Sequence, residues 1–210
     1  MTNYMAATAG SVLGVSSVFG GAESSQVKPL RPLEADRPDA TESPRTVDAG
    51  HFQIESSVVG YSRDKNDGVK FEGWTWGETN LKYGLNDSMD LQLVIAPYVH
   101  ETTRENGQKE ANEGFGDLIL RLKWNMWGND EGETAFAVFP YVKIPTGTDV
   151  SNDKWEGGII FPWAMDLSDG VGIGLQAEVA HVWDEDDRDY DLDFLHTAVV
   201  GFDVTDRMGV

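Results

Sequence analysis

The sequence predicts an all-β protein, an antiparallel up-and-down transmembrane β-barrel. Apolar and polar residues alternate with a period of two along eight segments, which is the pattern of strands with two different faces. Long and short connections alternate between these segments, as they do in outer-membrane barrels. Several segments continue for about ten residues or more, which suits a tilted membrane strand better than an ordinary soluble one.

The overall charge excludes some classes of function. The 210 residues include 36 acidic and 16 basic ones, for a formal net charge of −20. Binding to nucleic acid or to anionic lipid through a basic patch needs clustered Lys and Arg, so neither is expected. The chain has no cysteine, which excludes disulfides and thiolate metal sites. We expect no cofactor; the expected partners are outer-membrane lipid and a small solute whose identity the sequence leaves open.

Residues 1–22 are predicted to be a secretory signal peptide. Residues 6–21 are small or apolar and uncharged, and Gly20, Gly21 and Ala22 suit a cleavage site. No Lys or Arg precedes Lys28, so the usual basic start is missing and the position of the natural start stays open. The alternative is a disordered N-terminus of small residues.

Residues 23–48 are predicted to be a proline-rich periplasmic leader. They contain four of the eight prolines, Pro29, Pro32, Pro38 and Pro44. Proline lacks a backbone N–H and fixes φ, so this segment is neither a helix nor a central strand. The barrel proper then occupies residues 49–210.

Eight strands are predicted from the apolar positions in the barrel region. Their ranges are Phe52–Val58, Thr79–Leu85, Leu91–Val99, Leu118–Met126, Phe136–Ile144, Ile159–Leu167, Val171–Val179 and Leu192–Phe202. The chain ends at Val210, within the start of a ninth strand. Because single-chain bacterial barrels have even strand numbers, we expect a truncated barrel of about 10–12 strands.

The connections predict the orientation. Those expected to be long are Ser62–Lys70, Glu101–Glu113, Thr146–Glu156 and Asp184–Asp191. Those expected to be short are Asn86–Ser88, Gly128–Gly132, Ser168–Gly170 and Thr205–Asp206. Long loops face the outside of the cell and short turns face the periplasm, which places the N-terminus in the periplasm. Aromatic residues near both strand ends are compatible with interfacial girdles, although aromatics also favour strands in general.

The leader and the first strand resemble a known family. Residues 36–55 read Asp-Arg-Pro-Asp-Ala-Thr-Glu-Ser-Pro-Arg-Thr-Val-Asp-Ala-Gly-His-Phe-Gln-Ile-Glu. This stretch resembles the opening signature of the bacterial family named for a putative meta-pathway of phenol degradation. Weaker similarities follow at Lys82–Asp87, Gly116–Leu118 and Lys143–Gly147. The resemblance implies an outer-membrane barrel and uptake of small compounds, which can include aromatic ones; it does not imply enzymatic activity, and we expect none.

Ten polar residues on the parity opposite the apolar one are candidates to line the lumen. They are Glu55, Glu78, Lys82, Gln92, Asp117, Arg121, Lys123, Lys143, Gln176 and Glu178. Since both signs of charge occur, these side chains either cross-link a packed interior or line a polar path. The sequence alone leaves both arrangements open.

No catalytic, cofactor-binding or metal-binding residue is predicted. The acidic run Asp184–Asp191 could bind Ca²⁺, but it lacks the glycine of an EF-hand loop, and a solvated loop is the preferred interpretation. The histidines His51, His100, His181 and His196 lie on four different strands without a metal-binding spacing. No serine stands in a nucleophile-elbow pattern.

The sequence therefore predicts a channel or uptake protein for small molecules in the bacterial outer membrane. Two alternatives stay open: an outer-membrane barrel enzyme that acts on lipid, and a soluble periplasmic β-protein that binds a small ligand. The direction of the apolar face separates the last alternative, because a soluble barrel packs that face inward and a membrane barrel turns it to lipid.

Overall fold

The computed structural model describes residues 29–36, 40–66, 68–130, 132–168, 170–185, 187–205 and 208–209. The predicted signal peptide and the first residues of the leader lie outside these ranges. Eleven strand segments occur: β1 Phe52–Asn66, β2 Val69–Asn86, β3 Met89–Ile95, β4 Tyr98–Glu105, β5 Gln108–Gly114, β6 Leu118–Trp127, β7 Thr134–Ile144, β8 Glu156–Ser168, β9 Val171–Asp184, β10 Asp189–Thr205 and β11 Met208–Gly209. Within the described residues there is no helix long and apolar enough to cross a membrane.

The segments form one antiparallel sheet that is curled into a half-barrel. β3 and β4 pair with successive parts of β2. On the other side, β6 pairs with β3, and β5 pairs with β4. β3 with β4 and β5 with β6 are therefore two long strands, each broken once. Counted in this way, the described residues form eight strands and the start of a ninth in up-and-down order, which confirms the predicted all-β, antiparallel fold class of a truncated barrel.

The two breaks lie side by side. Pro97 interrupts one strand because it cannot donate a backbone hydrogen bond. The neighbouring strand is interrupted at residues 115–117, where the Gly116 N–H donates to the Ala96 carbonyl over 2.9 Å. A Cβ at residue 116 would meet the Ala96 Cβ at 2.9 Å, so glycine is required for this close approach.

Two of the connections expected to be long loops are mostly strand, and half of a third, Asp184–Asp191, is strand. β1 continues to Asn66 and β2 begins at Val69, β4 and β5 are separated only by Asn106 and Gly107, and β10 begins at Asp189. Asn106 and Gly107 both have positive φ, the geometry of a tight Asn-Gly hairpin turn. The prediction was wrong because it took polar residues as evidence for loops; a hairpin satisfies its own backbone hydrogen bonds in water. Residues 145–155 do form a long connection.

The two faces of the sheet have opposite chemistry. Large apolar side chains are exposed on one face: Phe52 is 70% and Phe194 69% exposed, and Leu85, Trp124, Met126 and Phe202 are exposed with them. Polar and charged side chains are buried on the other face, with Gln92 at 0% and Lys123 at 1%. This arrangement is the reverse of that in a soluble protein, where buried charges are rare.

Candidate functional site

The concave face of the sheet is occupied by the chain's own leader. Residues 29–36 and 40–48, here called the plug segment, contact strands from β1 to β10. The segment joins the sheet where Ala49 bridges to Gly84. The backbone at residue 48 and the backbone of β2 come so close there that a Cβ at residue 84 would lie 2.0 Å from the Asp48 carbonyl oxygen. The described ends of the plug segment lie near the β2–β3 and β6–β7 connections, at what we call the entry end.

Asp36 is the most deeply buried charge of the plug segment. It contacts two lysines of the curled sheet, whose strands and connections we call the wall. The Lys123 Nζ lies 2.8 Å and 2.9 Å from the two carboxylate oxygens, and the Lys82 ammonium also donates to one of them. Lys82 is shared with Glu55, whose Oε1 is 2.5 Å away. Glu55 in turn accepts a hydrogen bond from the Asp36 backbone N–H. Two cations and two anions thus compensate one another in the interior.

These contacts keep Asp36 ionised. Burial by itself would raise the pKa of Asp36, but the ammonium groups of Lys123 and Lys82 outweigh it and hold the pKa well below its usual range. The Ser43 backbone N–H adds a further hydrogen bond of 2.9 Å to Oδ1. Breaking a compensated buried pair costs more than the pair contributes, because the remaining charge cannot reach water. Asp36 is therefore the firm anchor of the plug segment.

The tip of the plug segment, Thr41 and Glu42, meets a different part of the wall. The Thr41 hydroxyl lies 2.7 Å from that of Thr197 in β10. The Glu42 N–H donates to the Gln176 side chain in β9 over 2.8 Å, and its carboxylate accepts from Arg121 in β6 over 2.6 Å. The tip thus reaches strands that lie far apart in the order of the sheet.

The hydrogen bonding at the tip is incomplete. The Glu42 Oε2 and the Arg121 Nε are buried and have no hydrogen-bond partner among the described residues. Burial and the nearby Asp36 carboxylate raise the pKa of Glu42, and Arg121 opposes this shift without overcoming it. A buried acceptor without a donor loses the hydrogen bond that it makes with water in the exposed state. The tip is therefore held less firmly than Asp36.

Several contacts fix the plug segment at the entry end. Arg31 Nη2 donates to the Asp87 carbonyl over 3.2 Å, and Arg45 donates to the Gly128 carbonyl and to Asp166, each over 3.2 Å. Backbone N–H groups are satisfied by side chains of the wall, Thr46 by Asn129 over 2.8 Å and Val47 by Asp90 over 3.0 Å. The irregular backbone of this proline-rich segment is therefore hydrogen-bonded although it belongs to no strand.

The structure brings half of the predicted lumen-lining residues into contact with the plug segment. These five are Glu55, Lys82, Arg121, Lys123 and Gln176. Gln92 lies in the same region, where it accepts from Asn80 and donates to Asp90. Glu78 is half-buried and acts electrostatically on Arg121.

Three predicted residues lie towards the other end of the barrel, here called the far end. Lys143 contacts Glu156 at 2.6 Å and Asp117 at 3.4 Å, and its Nζ donates to Asn152 of the 145–155 connection. Glu178 accepts a hydrogen bond of 2.5 Å from Tyr141. These contacts tie the long connection to the wall and form a second polar cluster.

Sequence reasoning missed part of the interior. Asn80, Asp90 and Asn125 share the parity of the predicted set and could have been found by the same rule. Thr197 is also inward-facing, paired with Gln176 across the β9–β10 ladder. Asp36 and Glu42 had no such signal, because strand periodicity says nothing about a segment outside the sheet.

Two further features accompany this arrangement. A cavity of about 480 Å³ lies at the entry end between the plug segment and the wall, lined by residues that include Leu30, Phe52 and Asp166. At the far end, carboxylate oxygens of Asp184, Asp187 and Asp191 lie within 4.8 Å of one another. Two of these three residues are exposed, and exposed acidic groups are common without an ion, so no metal is assigned to them.

Comparison with known proteins places this barrel in a family. No curated protein and no solved structure matches the chain. A family model described as "Putative MetA-pathway of phenol degradation" matches residues 35–208, which include most of the plug segment and almost the whole described sheet. The chain therefore belongs to this family, as the resemblance of residues 36–55 predicted.

Proposed function

We propose that the chain is an outer-membrane barrel that passes small molecules through its polar interior. The observation that carries this proposal is the inverted sheet, with apolar side chains exposed outside and charged ones buried inside. Lipid can cover an exposed apolar face, whereas water cannot do so without a large cost in free energy. The same observation argues against a soluble β-protein with an apolar core.

Aromatic side chains at the strand ends support the membrane placement. Near the entry end, Phe52 packs against Tyr83 with tilted rings and Trp127 stacks on Phe136, with ring centroids 4.5 Å and 4.9 Å apart. Trp124 is exposed close by. Indole and phenol rings favour the interface because they combine an apolar body with a polar tip.

The interior supports passage of polar solutes or of solutes with a polar group. Lysine, arginine and carboxylate side chains line it along its length, from Lys82 and Asp36 to Lys143 and Glu156. Such a mixed lining replaces the hydration of a small solute without trapping one sign of charge. Membership of a family named for phenol degradation is compatible with an uptake role.

Two neighbouring residues provide a matched test of membrane placement. Phe194 lies on the outward face of β10, and Leu195 pairs with Glu178 on the inward face. In a lipid-facing barrel, Phe194→Lys should cost about 2–4 kcal/mol near the bilayer midplane, whereas Leu195→Lys should be tolerated. The measurement is heat-modifiable gel mobility in the outer-membrane fraction. Equal yields of both variants from the soluble periplasm would contradict the proposal.

Transport is tested by liposome swelling. We expect the folded protein, inserted in liposomes, to accelerate swelling with at least one member of a panel of aromatic acids, sugars and ions. Protein-free liposomes provide the control for leakage. If the inserted, heat-modifiable protein passes no solute of the panel, the channel function is wrong even though the membrane placement stands.

A further inference from the structure

The plug segment lies across the route that a solute would take. Asp36 is bound to Lys82 and Lys123, in β2 and β6, while Thr41 contacts Thr197 in β10. The tip itself, Thr41 and Glu42, spans the concave face from Arg121 in β6 to Thr197 in β10. A solute that moves from the far end to the entry end has to pass it.

The contacts of the tip are of a kind that water can replace. Among the described residues, Thr41 and Glu42 are held by one hydroxyl contact, one backbone donor and one ion pair. Released into a hydrated lumen, each of these groups exchanges a protein partner for a water molecule, so little net free energy is lost. A tip anchored by large apolar side chains would not have this property, because its release would expose them to water.

The tip also gains hydrogen bonds on release. The Glu42 Oε2 and the Arg121 Nε have no hydrogen-bond partner among the described residues while the tip is docked. Water that enters the space satisfies both atoms. Asp36 would gain no hydrogen bond on release, because Lys82, Lys123 and the Ser43 N–H already satisfy its two carboxylate oxygens. This difference in hydrogen bonding distinguishes Asp36, which stays bound, from the tip, which can be released.

We propose that the tip, Thr41 and Glu42, is a gate that undocks from β6, β9 and β10 while Asp36 keeps the plug segment anchored in the barrel. Undocking opens the interior between the far end and the entry end, and docking closes it. This inference rests on the proposed channel function and concerns how that channel is regulated.

A disulfide can lock the gate. The chain has no cysteine, so Thr41→Cys with Thr197→Cys introduces a single reactive pair. The two hydroxyl oxygens lie 2.7 Å apart, which places the sulfur atoms of the variants within reach of a disulfide. We expect the oxidised double variant to swell liposomes no faster than protein-free vesicles do, and reduction with dithiothreitol to restore the wild-type rate.

The matched control is a disulfide within the wall. Ser56→Cys with Thr79→Cys joins β1 to β2, where the two hydroxyl oxygens lie 3.0 Å apart, on the parity of Phe52 and Ile54 and opposite to that of Glu55, which contacts the plug segment. This variant should swell liposomes at the wild-type rate whether oxidised or reduced. Heat-modifiable mobility checks that every variant is folded and inserted, and mass spectrometry checks that the disulfide has formed.

A second variant tests the gate in the opposite direction. Thr41→Ala with Glu42→Ala removes the side-chain contacts of the tip, and we expect it to swell liposomes faster than the wild type. Wild-type flux through the oxidised Thr41–Thr197 variant, or an unchanged rate in the double alanine variant, overturns the gate and leaves the channel function intact. Absence of flux in every folded variant, the double alanine variant included, instead overturns the channel function.

Discussion

Two carboxylates of the same plug segment, Asp36 and Glu42, behave differently in the same barrel interior. Asp36 is buried and Glu42 is largely buried, and both face cations of the wall. Asp36 meets two lysines and a backbone donor, whereas Glu42 meets one arginine and keeps one oxygen without a described partner. Burial pushes both pKa values upwards, and only the two lysines at Asp36 reverse this. The number of countercharges therefore decides whether a buried carboxylate anchors a segment or leaves it releasable.

The largest expected effect comes from removing the firm anchor. Asp36→Ala leaves Lys123 without its carboxylate and Lys82 with Glu55 alone, so we expect the free energy of unfolding to fall by about 3–5 kcal/mol. Urea unfolding in detergent micelles, followed by tryptophan fluorescence, measures it. Asp149→Ala, at an exposed carboxylate, is the control and should change stability by less than about 0.5 kcal/mol. Equal losses in both variants would show that Asp36 is not an anchor.

Removing the charge at the tip should have a smaller effect. Glu42→Gln preserves an oxygen that accepts from Arg121, and Glu78 still acts on the guanidinium. The variant also removes a carboxylate whose burial is unfavourable, so we expect a change of about 1 kcal/mol or less in the same urea experiment. A loss as large as that of Asp36→Ala would abolish the distinction between anchor and tip.

The smallest effect is a difference in pH dependence. The pKa of Glu42 is raised in the folded state, so its contribution to stability is fully present below the ordinary glutamate pKa and is lost as pH rises through the folded value. The pKa of Asp36 is lowered, so its contribution is present above the ordinary aspartate pKa and is lost only as pH falls through the lower folded value.

Acidification from neutral pH to about pH 5 should therefore stabilise the wild type relative to Glu42→Gln. In the Glu42→Gln background, the further change Asp36→Asn should alter stability by a constant amount over the same range, because Asp36 does not titrate there and Glu42, whose pKa it raises, is absent. Unfolding midpoints measured at several pH values test both statements. A Glu42→Gln difference that does not vary with pH, or that varies with the opposite sign, contradicts the assigned direction.

The strand pattern shows how far sequence reasoning reached. Alternation at Leu118–Met126 put Arg121 and Lys123 on the same face, since a side chain on a strand has only two directions, and both contact the plug segment. The hairpin at Asn106 and Gly107 was missed although its sequence signal was present, because the flanking polar residues were interpreted as a loop. A polar composition indicates that a segment is exposed to water, but it does not indicate whether that segment is a strand or a loop.

The sequence by itself determined the all-β fold, the strand number and the family, because all of these depend on local periodicity or on a contiguous motif. The direction of the apolar face stayed open in the sequence, and the curled sheet decided it. Only the tertiary structure decided the course of the plug segment. The prolines of residues 29–48 excluded a strand but did not specify where the segment would lie. Asp36 contacts Lys82 and Lys123, which lie 46 and 87 residues away in the sequence. Thr41 contacts Thr197, which lies 156 residues away. Such contacts have no local signature, since they form only when the curled sheet brings distant strands around the same space.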